Sequence, residues 1–237
     1  MRPGTTSRHL PKGMRILHED RDILVIDKPP GLLSMATDSE KERTALHALT
    51  DYVRKGNSKS RLQVYIVHRL DREVSGVLVF AKSLEAKQFL QEHWADNEKK
   101  YLAVVHGRMP KQADTISSYL VENLALAVRS TQDKSLGRLS HTAYRVLRET
   151  RDYSLLEINL LTGRKHQIRV HLAESGHPIV GDRRYGREDK KHKRIALHAT
   201  SLMLTHPYTG ERMTFKSEPP VLFNTLVGKV EPARKDG

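Results

Sequence analysis

No apolar run in this chain outlasts the five residues of Val77–Ala81, and turn-forming residues separate the runs at short intervals. A membrane-spanning helix needs roughly 18 or more consecutive apolar residues, so a membrane partner is not expected. Runs this short build strands. Arg15–His18 and Asp22–Asp27 flank the polar triplet Glu19-Asp20-Arg21, which predicts a hairpin. Ile195–Thr205 and Arg212–Lys216 flank Pro207-Tyr208-Thr209-Gly210, which predicts a second. Val77–Ala81, Lys100–His106, Thr142–Leu147 and Ser154–Leu161 also read as strands. Helical signals are fewer. Thr44–Arg54 carries Leu46, Leu49 and Val53 at helical spacing behind a capping Thr. Ser83 opens a second helix, predicted to run to about Asn97 with Ala86, Phe89, Leu90 and His93 on one face. Thr162–Ser175 begins at Thr-Gly and stops before Gly176, which predicts a third. Strands outnumber helices and hairpins recur, so the expected class is α+β, with a largely antiparallel mixed sheet flanked by helices.

Charge narrows the partner. Lys+Arg 41 against Asp+Glu 28 leaves +13 on 237 residues. An excess that large repels itself unless a polyanion is the usual neighbour, and nucleic acid fits better than an anionic membrane. Residues 1–13 hold three basic residues without periodicity and read as a flexible basic tail, with one domain expected over 14–237. The N-terminus has no apolar h-region, so the expected compartment is the cytoplasm. Cysteine is absent, which excludes disulfides, Cys-ligated zinc and thiolate nucleophiles. No phosphate-binding glycine loop, dinucleotide fingerprint or His-Glu-x-x-His appears, so neither a cofactor nor a metal is expected.

Four segments carry chemistry. In Tyr65–Ala81 an apolar approach ends in His68-Arg69-Leu70-Asp71, and a Ser75-Gly76 turn leads into a buried strand. Asp71, between Arg69 and Arg72, is either a turn cap or a working carboxylate. In Leu161–Leu172 a helix would offer its first-turn N–H groups with Arg164 and Lys165 as an anion site. Arg169, one turn on, could grip a carboxylate with two N–H groups. His166 and His171 are five residues apart, unlike the i, i+4 pair of a helical zinc site. In Glu98–Gly107, Tyr101 is either a core aromatic or a stacking platform for a base beside Lys99 and Lys100. Asp182–Arg194 holds seven Lys/Arg and three acids, and is either a solvated loop or a segment that meets phosphates.

Taken in order, these segments resemble the RluA family of pseudouridine synthases. The matching strings are Ile26-Asp27-Lys28-Pro29-Pro30-Gly31, His-Arg-Leu-Asp-x-x-x-Ser-Gly at 68–76 and Lys-x-Tyr at 99–101 with Val105 and Gly107. Thr-Gly-Arg-x-His-Gln-Ile-Arg-x-His at 162–171, Gly-His-Pro-Ile-x-Gly-Asp at 176–182 and Leu-His-Ala at 197–199 follow. Val74 departs from the family's usual Thr, another β-branched residue. The resemblance is to short members, since thirteen residues cannot hold the N-terminal S4 domain many relatives carry.

The resemblance implies the pseudouridine synthase fold with a cleft across its sheet, and a cofactor-free isomerisation of uridine within RNA. It implies a catalytic set of Asp71, Tyr101 and Arg169. Asp71 would act on the ribose or as a nucleophile, Arg169 would pair with it, and Tyr101 would stack on the flipped uracil. Arg69 would fill the vacated stack. RNA contacts are expected from His68, Arg69 and Arg72, from Lys99 and Lys100, and from Arg164, Lys165 and His166. Arg183, Arg184, Lys190, Lys191 and Lys193 extend that set. The expected substrate is large-subunit rRNA or a tRNA stem-loop, and the expected state is a monomer. The competing reading is an RNA-binding protein without catalysis; a carboxylate facing a polyanion has no use there. A metal-dependent phosphodiesterase would need clustered carboxylates with His.

Overall fold

A computed structural model describes residues 10–57, 59–123, 127–186 and 191–229. The chain divides into two compact units, one built from residues 1–98 and 199–217, the other from 99–198 and 218–237.

In the first unit, β1 (Arg15–Glu19) and β2 (Ile23–Lys28) form the expected hairpin, with Asp20 Oδ1 accepting from the N–H groups of Asp22 and Ile23 at its turn. The sheet runs β1-β2-β4-β10, where β4 is Ser75–Ala81 and β10 is Leu197–Thr205; β3 (Tyr65–Ile66) also pairs with β4, and β11 (Arg212–Lys216) with β10. β2 and β4 are buried at every position, because neighbours cover both faces. Ile23, Val25, Val77, Val79, Leu202 and Phe215 pack with Ala86 and Leu90 into the core. Those last two come from α2 (Leu84–Glu92), capped by Ser83. The helix stops short of Asn97: His93 leaves the helical region and Trp94–Asp96 form a 3-10 turn. α1 (Ala45–Arg54) starts as predicted, Thr44 Oγ1 accepting from the His47 N–H.

In the second unit the order is β5-β9-β8-β6-β7, with β5 at Glu98–His106, β9 at Tyr153–Leu160, β8 at Arg138–Glu149, β6 at Ala113–Glu122 and β7 at Val128–Thr131. The four pairings between them are antiparallel. α4 (Val221–Val227) buries Phe223 and Val227.

α3 corrects the sequence reading. It spans only Gln167–Glu174, and residues 162–166 form a loop. His166 caps it in the left-handed region at φ 53°, and Gln167 Oε1 accepts from the Thr162 hydroxyl and the Arg164 N–H. The expected anion site at a helical first turn is therefore replaced by a side chain that closes the loop on itself. Gln167 through Leu172 are all buried, so α3 has no solvent face, and Arg169 and His171 lie inside the protein.

Candidate functional site

Asp71 sits in a tight loop between Leu70 and Val74, and the segment after β2 holds that loop from outside. Ser34 Oγ donates to the Leu70 carbonyl at 2.7 Å and accepts from the Leu70 N–H at 3.0 Å. On the other side of Asp71, the Gly31 N–H donates to the Arg72 carbonyl at 2.7 Å, and Arg72 Nε donates to the Gly31 carbonyl at 3.1 Å. The Val74 N–H closes the turn on the Asp71 carbonyl at 3.1 Å. Both backbone neighbours of Asp71 are thus fixed while Asp71 itself is half-buried.

Beneath the junction lies Lys28, 0% exposed at the end of an apolar strand. Its amine donates to the carbonyls of Leu32 at 2.8 Å, Pro29 at 3.1 Å and Arg72 at 3.3 Å. Burial pulls its pKa down to about 7, against the opposing pull of the Asp71, Glu73 and Asp27 carboxylates. Over the junction opens a cavity of about 580 Å³, lined by Pro29, Pro30, Leu32, Arg43 and Arg72 among others. Gly76, at φ 115°, lets the chain leave the loop for β4: a Cβ there would lie 2.1 Å from the Ala199 carbonyl oxygen. That close approach joins two of the sequence strings noted above, Ser-Gly and Leu-His-Ala.

In the second unit, Tyr101 lies in β5 opposite Ile158 of β9 and is 9% exposed. Both faces of β5 are buried, so the alternation expected of it is silent. Arg169, on α3, is gripped edge-on by Asp182: Nε to Oδ2 at 2.8 Å and Nη2 to Oδ1 at 2.9 Å, with side-chain exposures of 5% and 1%. Asp182 Oδ1 also accepts from the N–H groups of Arg184 and Tyr185. These bonds hold the Asp182 carboxyl below the usual carboxylate range against its burial. The Tyr185 ring lies under the Arg169 guanidinium at 5.3 Å. Its hydroxyl meets His166 Nδ1 at 2.8 Å and accepts from the Val128 N–H at 3.0 Å.

The expected RNA-facing residues divide. Arg69, Arg72, Arg164, Arg183, Arg184, Lys191 and Lys193 are exposed or partly exposed, and Lys100 is half-exposed. Lys190 lies outside the described residues. Lys99 is buried, and Lys165 is paired with Glu122. His68 is engaged internally, its ring stacked on Trp94 and its Nε2 accepting from the Val79 N–H. Asp182, which opens the charge run read as either a solvated loop or a segment that meets phosphates, is a buried ion-pair partner.

Sequence reasoning does not single out Lys28, Ser34 or Asp182 as site residues. A lysine closing, after Asp27, a strand that opens with four apolar residues and a Gly-Asp ending a family string are the available signals; Ser34 offers none.

Among the described residues one group, Asp20, Asp22 and His206, has metal-ligand geometry. His206 Nδ1 accepts from the Tyr208 and Thr209 N–H groups, which puts the ring hydrogen on Nε2, facing Asp20 Oδ2 at 3.1 Å. A neutral ring so arranged presents no lone pair to a cation. The group reads as a lock on the β1–β2 and β10–β11 turns.

Residues 22–174 match the family described as RNA pseudouridylate synthase. Ribosomal large subunit pseudouridine synthase D of Nitrosomonas europaea is 36% identical over 221 residues, covering 87% of this chain and 62% of the relative. An uncharacterized RNA pseudouridine synthase of Bacillus subtilis is 32% identical over 92% of this chain and 76% of its own. The chain spans 60% and 63% of two further synthase D relatives, from Borreliella burgdorferi and Xanthomonas campestris. Among solved structures, human RNA pseudouridylate synthase domain containing 4 superposes with a TM-score of 0.72 at 26% identity, covering 88% of this chain and 89% of that one. The antiparallel strand pairs within each unit accord with that likeness. The chain belongs to the RNA pseudouridylate synthase family.

Proposed function

We propose that this protein isomerises specific uridines to pseudouridine in structured RNA, without a cofactor, as a cytoplasmic monomer. Large-subunit rRNA is the first substrate class, because the relatives are named for it; a tRNA stem-loop is the second. The observation that carries the reading is a family match that includes an Asp71 loop held on both sides. In the reaction the N1–C1′ bond of uridine breaks, the base turns, and C5 bonds to C1′; C5 loses its proton and N1 gains one. Asp71 is the acting carboxylate, either as nucleophile or as base toward the ribose, with Tyr101 against the uracil and Arg169 serving the carboxylate. Clamping Leu70 and Arg72 removes the freedom that would otherwise cost rate, since a misplacement of about 1 Å can cost about 10²-fold.

The test uses rRNA from cells lacking this gene. Wild-type protein should release tritium from C5-labelled uridine and place pseudouridine at a discrete position. Asp71→Asn should lose turnover to below about one per cent while RNA binding stays within several-fold, set against the ~10²–10⁴-fold typical of one acid–base group. Binding without turnover by the wild-type protein, on rRNA and tRNA alike, would make the chain a binding module. Loss of binding together with turnover in Asp71→Asn would make Asp71 a structural residue.

A further inference from the structure

We infer that the turn Gly181–Gly186 is a clamp that sets the Arg169 guanidinium for the reaction, with Asp182 and Tyr185 as its positioning residues. The inference rests on the synthase reading for what Arg169 does and on the second unit's geometry for how it is held.

A guanidinium has five N–H donors in a rigid plane. Asp182 takes the Nε and Nη2 edge with both carboxylate oxygens, which fixes rotation within the plane. The guanidinium carbon lies 5.3 Å from the Tyr185 ring centroid, over that ring, a second contact that restricts the group's movement. What Arg169 offers elsewhere is then directed along its Nη1 edge. The clamp is itself braced. Asp182 Oδ1 accepts two backbone N–H groups of its own turn, and the Tyr185 hydroxyl bridges His166 Nδ1 and the Val128 N–H. His166 is in turn the left-handed residue that starts α3, three positions before Arg169.

The backbone around Asp182 is unusually demanding. At Gly181, with φ 74°, a Cβ would fall 2.0 Å from the Arg194 carbonyl oxygen; at Gly186 it would fall 2.3 Å from the Asp182 carbonyl oxygen. Two glycines are therefore required to bring this carboxylate to this arginine. Stability alone is a poor reason for such a device. A buried ion pair often stabilises no better than apolar residues of the same volume, and the adjoining cluster of Leu120, Val128 and Val170 is apolar. Orientation is what the pair supplies and an apolar pairing would not.

The experiment is a double-mutant cycle on the full chain. Asp182→Asn keeps the shape and removes the charge; Arg169→Lys removes the planar fork. Each alone should lower kcat by about 10²-fold, the scale of a misplaced group, with KM for RNA within about threefold. The double variant should be no slower than the worse single variant, because Asp182 acts only through Arg169. Tyr185→Phe keeps the ring and loses the hydroxyl, and should lower kcat by about tenfold while the protein stays folded. In parallel, ¹⁵N-edited spectra of arginine-labelled protein should show an Arg169 Nε–H signal, assigned by its disappearance in Arg169→Lys, that is protected from exchange in wild type and not in Asp182→Asn. Multiplying effects in the cycle, an undiminished kcat in a folded Asp182→Asn, or an unchanged Nε–H signal would each overturn the inference. If wild type itself shows no turnover, the synthase reading falls, and the spectral arm still decides whether Asp182 sets Arg169.

Discussion

The single hydroxyl of Ser34 satisfies both backbone groups of Leu70, 36 residues further along, and so fixes the residue immediately before Asp71. Ser34 and Leu70 are both buried, so no water stands ready to replace that hydroxyl. Ser34→Ala should cost about 1–3 kcal/mol, the scale of leaving buried backbone groups unpaired. Turnover per folded molecule should fall as well, because the Asp71 loop is left with one of its two anchors. Urea denaturation together with tritium release from labelled RNA checks both; full turnover in a destabilised protein would restrict Ser34 to folding.

Two glycines of the family strings should differ sharply in their tolerance of alanine. At Gly76 the new Cβ would meet the Ala199 carbonyl oxygen at 2.1 Å, with φ at 115°. Backbone strain and overpacking together should cost about 3 kcal/mol or more. A Cβ at Gly163 meets nothing within 4 Å, so Gly163→Ala should change stability by no more than about 0.5 kcal/mol. Thermal melts of the two variants side by side make the comparison, and a tolerated Gly76→Ala would mean that β4 can shift away from residue 199.

Lys28 should leave a signature in alkali. Its pKa is about 7 when folded and 10.5 as a free side chain. Between those values the unfolded chain binds a proton that the folded chain does not, so stability rises as pH increases from 7 toward 10.5. Lys28→Met should be less stable overall, without the amine's hydrogen bonds to the surrounding carbonyls, and should lack that rise. The quantity to follow is the difference in urea midpoint between wild type and variant across this range. A difference that does not vary with pH would show that Lys28 keeps its proton when buried.

His171 should act at the acid end. Its ring nitrogens meet Ser118 Oγ at 3.0 Å and Thr142 Oγ1 at 2.9 Å, an arrangement complete with a neutral ring. Burial, the largest cause, pulls its pKa from 6.5 to about 4. The unfolded chain therefore takes up a proton first, and stability falls away as pH drops from 6.5 to about 4. His171→Gln should flatten that slope while leaving stability above about pH 7 little changed. Equal slopes in the two proteins would assign the acid sensitivity to other groups.

Salt should separate cations that face phosphate from one already held by a carboxylate. Neutralising Lys190, Lys191 and Lys193 together should weaken RNA binding and reduce the salt slope by about one for each phosphate they neutralise in the wild type. Lys165→Gln, which removes a cation already paired with Glu122, should change the slope less. Filter binding across a salt series reads both, and an unaltered slope in the triple variant would make that loop a solvated one.

The strands are legible in the sequence where turns punctuate them, as at Glu19-Asp20-Arg21 and Pro207–Gly210, because hairpin chemistry is local. β6 is not, since Ala113–Glu122 is Ser/Thr-rich and mostly solvent-facing and shows no apolar alternation. The start of α3 is illegible for a different reason. Its boundary is set by the Gln167 amide folding back on Thr162 and Arg164, and a helix buried on every side has no periodicity to display. Asp71 stands out by its motif. Asp182 does not, because a carboxylate amid seven cations looks solvated until its partner, thirteen residues earlier, is known.

The interleaving of the two units bears on synthesis. A nascent chain that has emerged through residue 198 carries all of β1, β2, β3 and β4 but not the stretch of β10 that belongs with them, nor β11. Until then the Asp71 loop exits at Gly76 into a strand whose neighbouring backbone, at Ala199, does not yet exist. On a ribosome adding about 5–20 residues per second, the first unit therefore waits several seconds with only β3, opposite Phe80 and Ala81, on the β4 edge that β10 later joins. For that interval β4 lacks the β10 neighbour that lies beside it in the finished sheet.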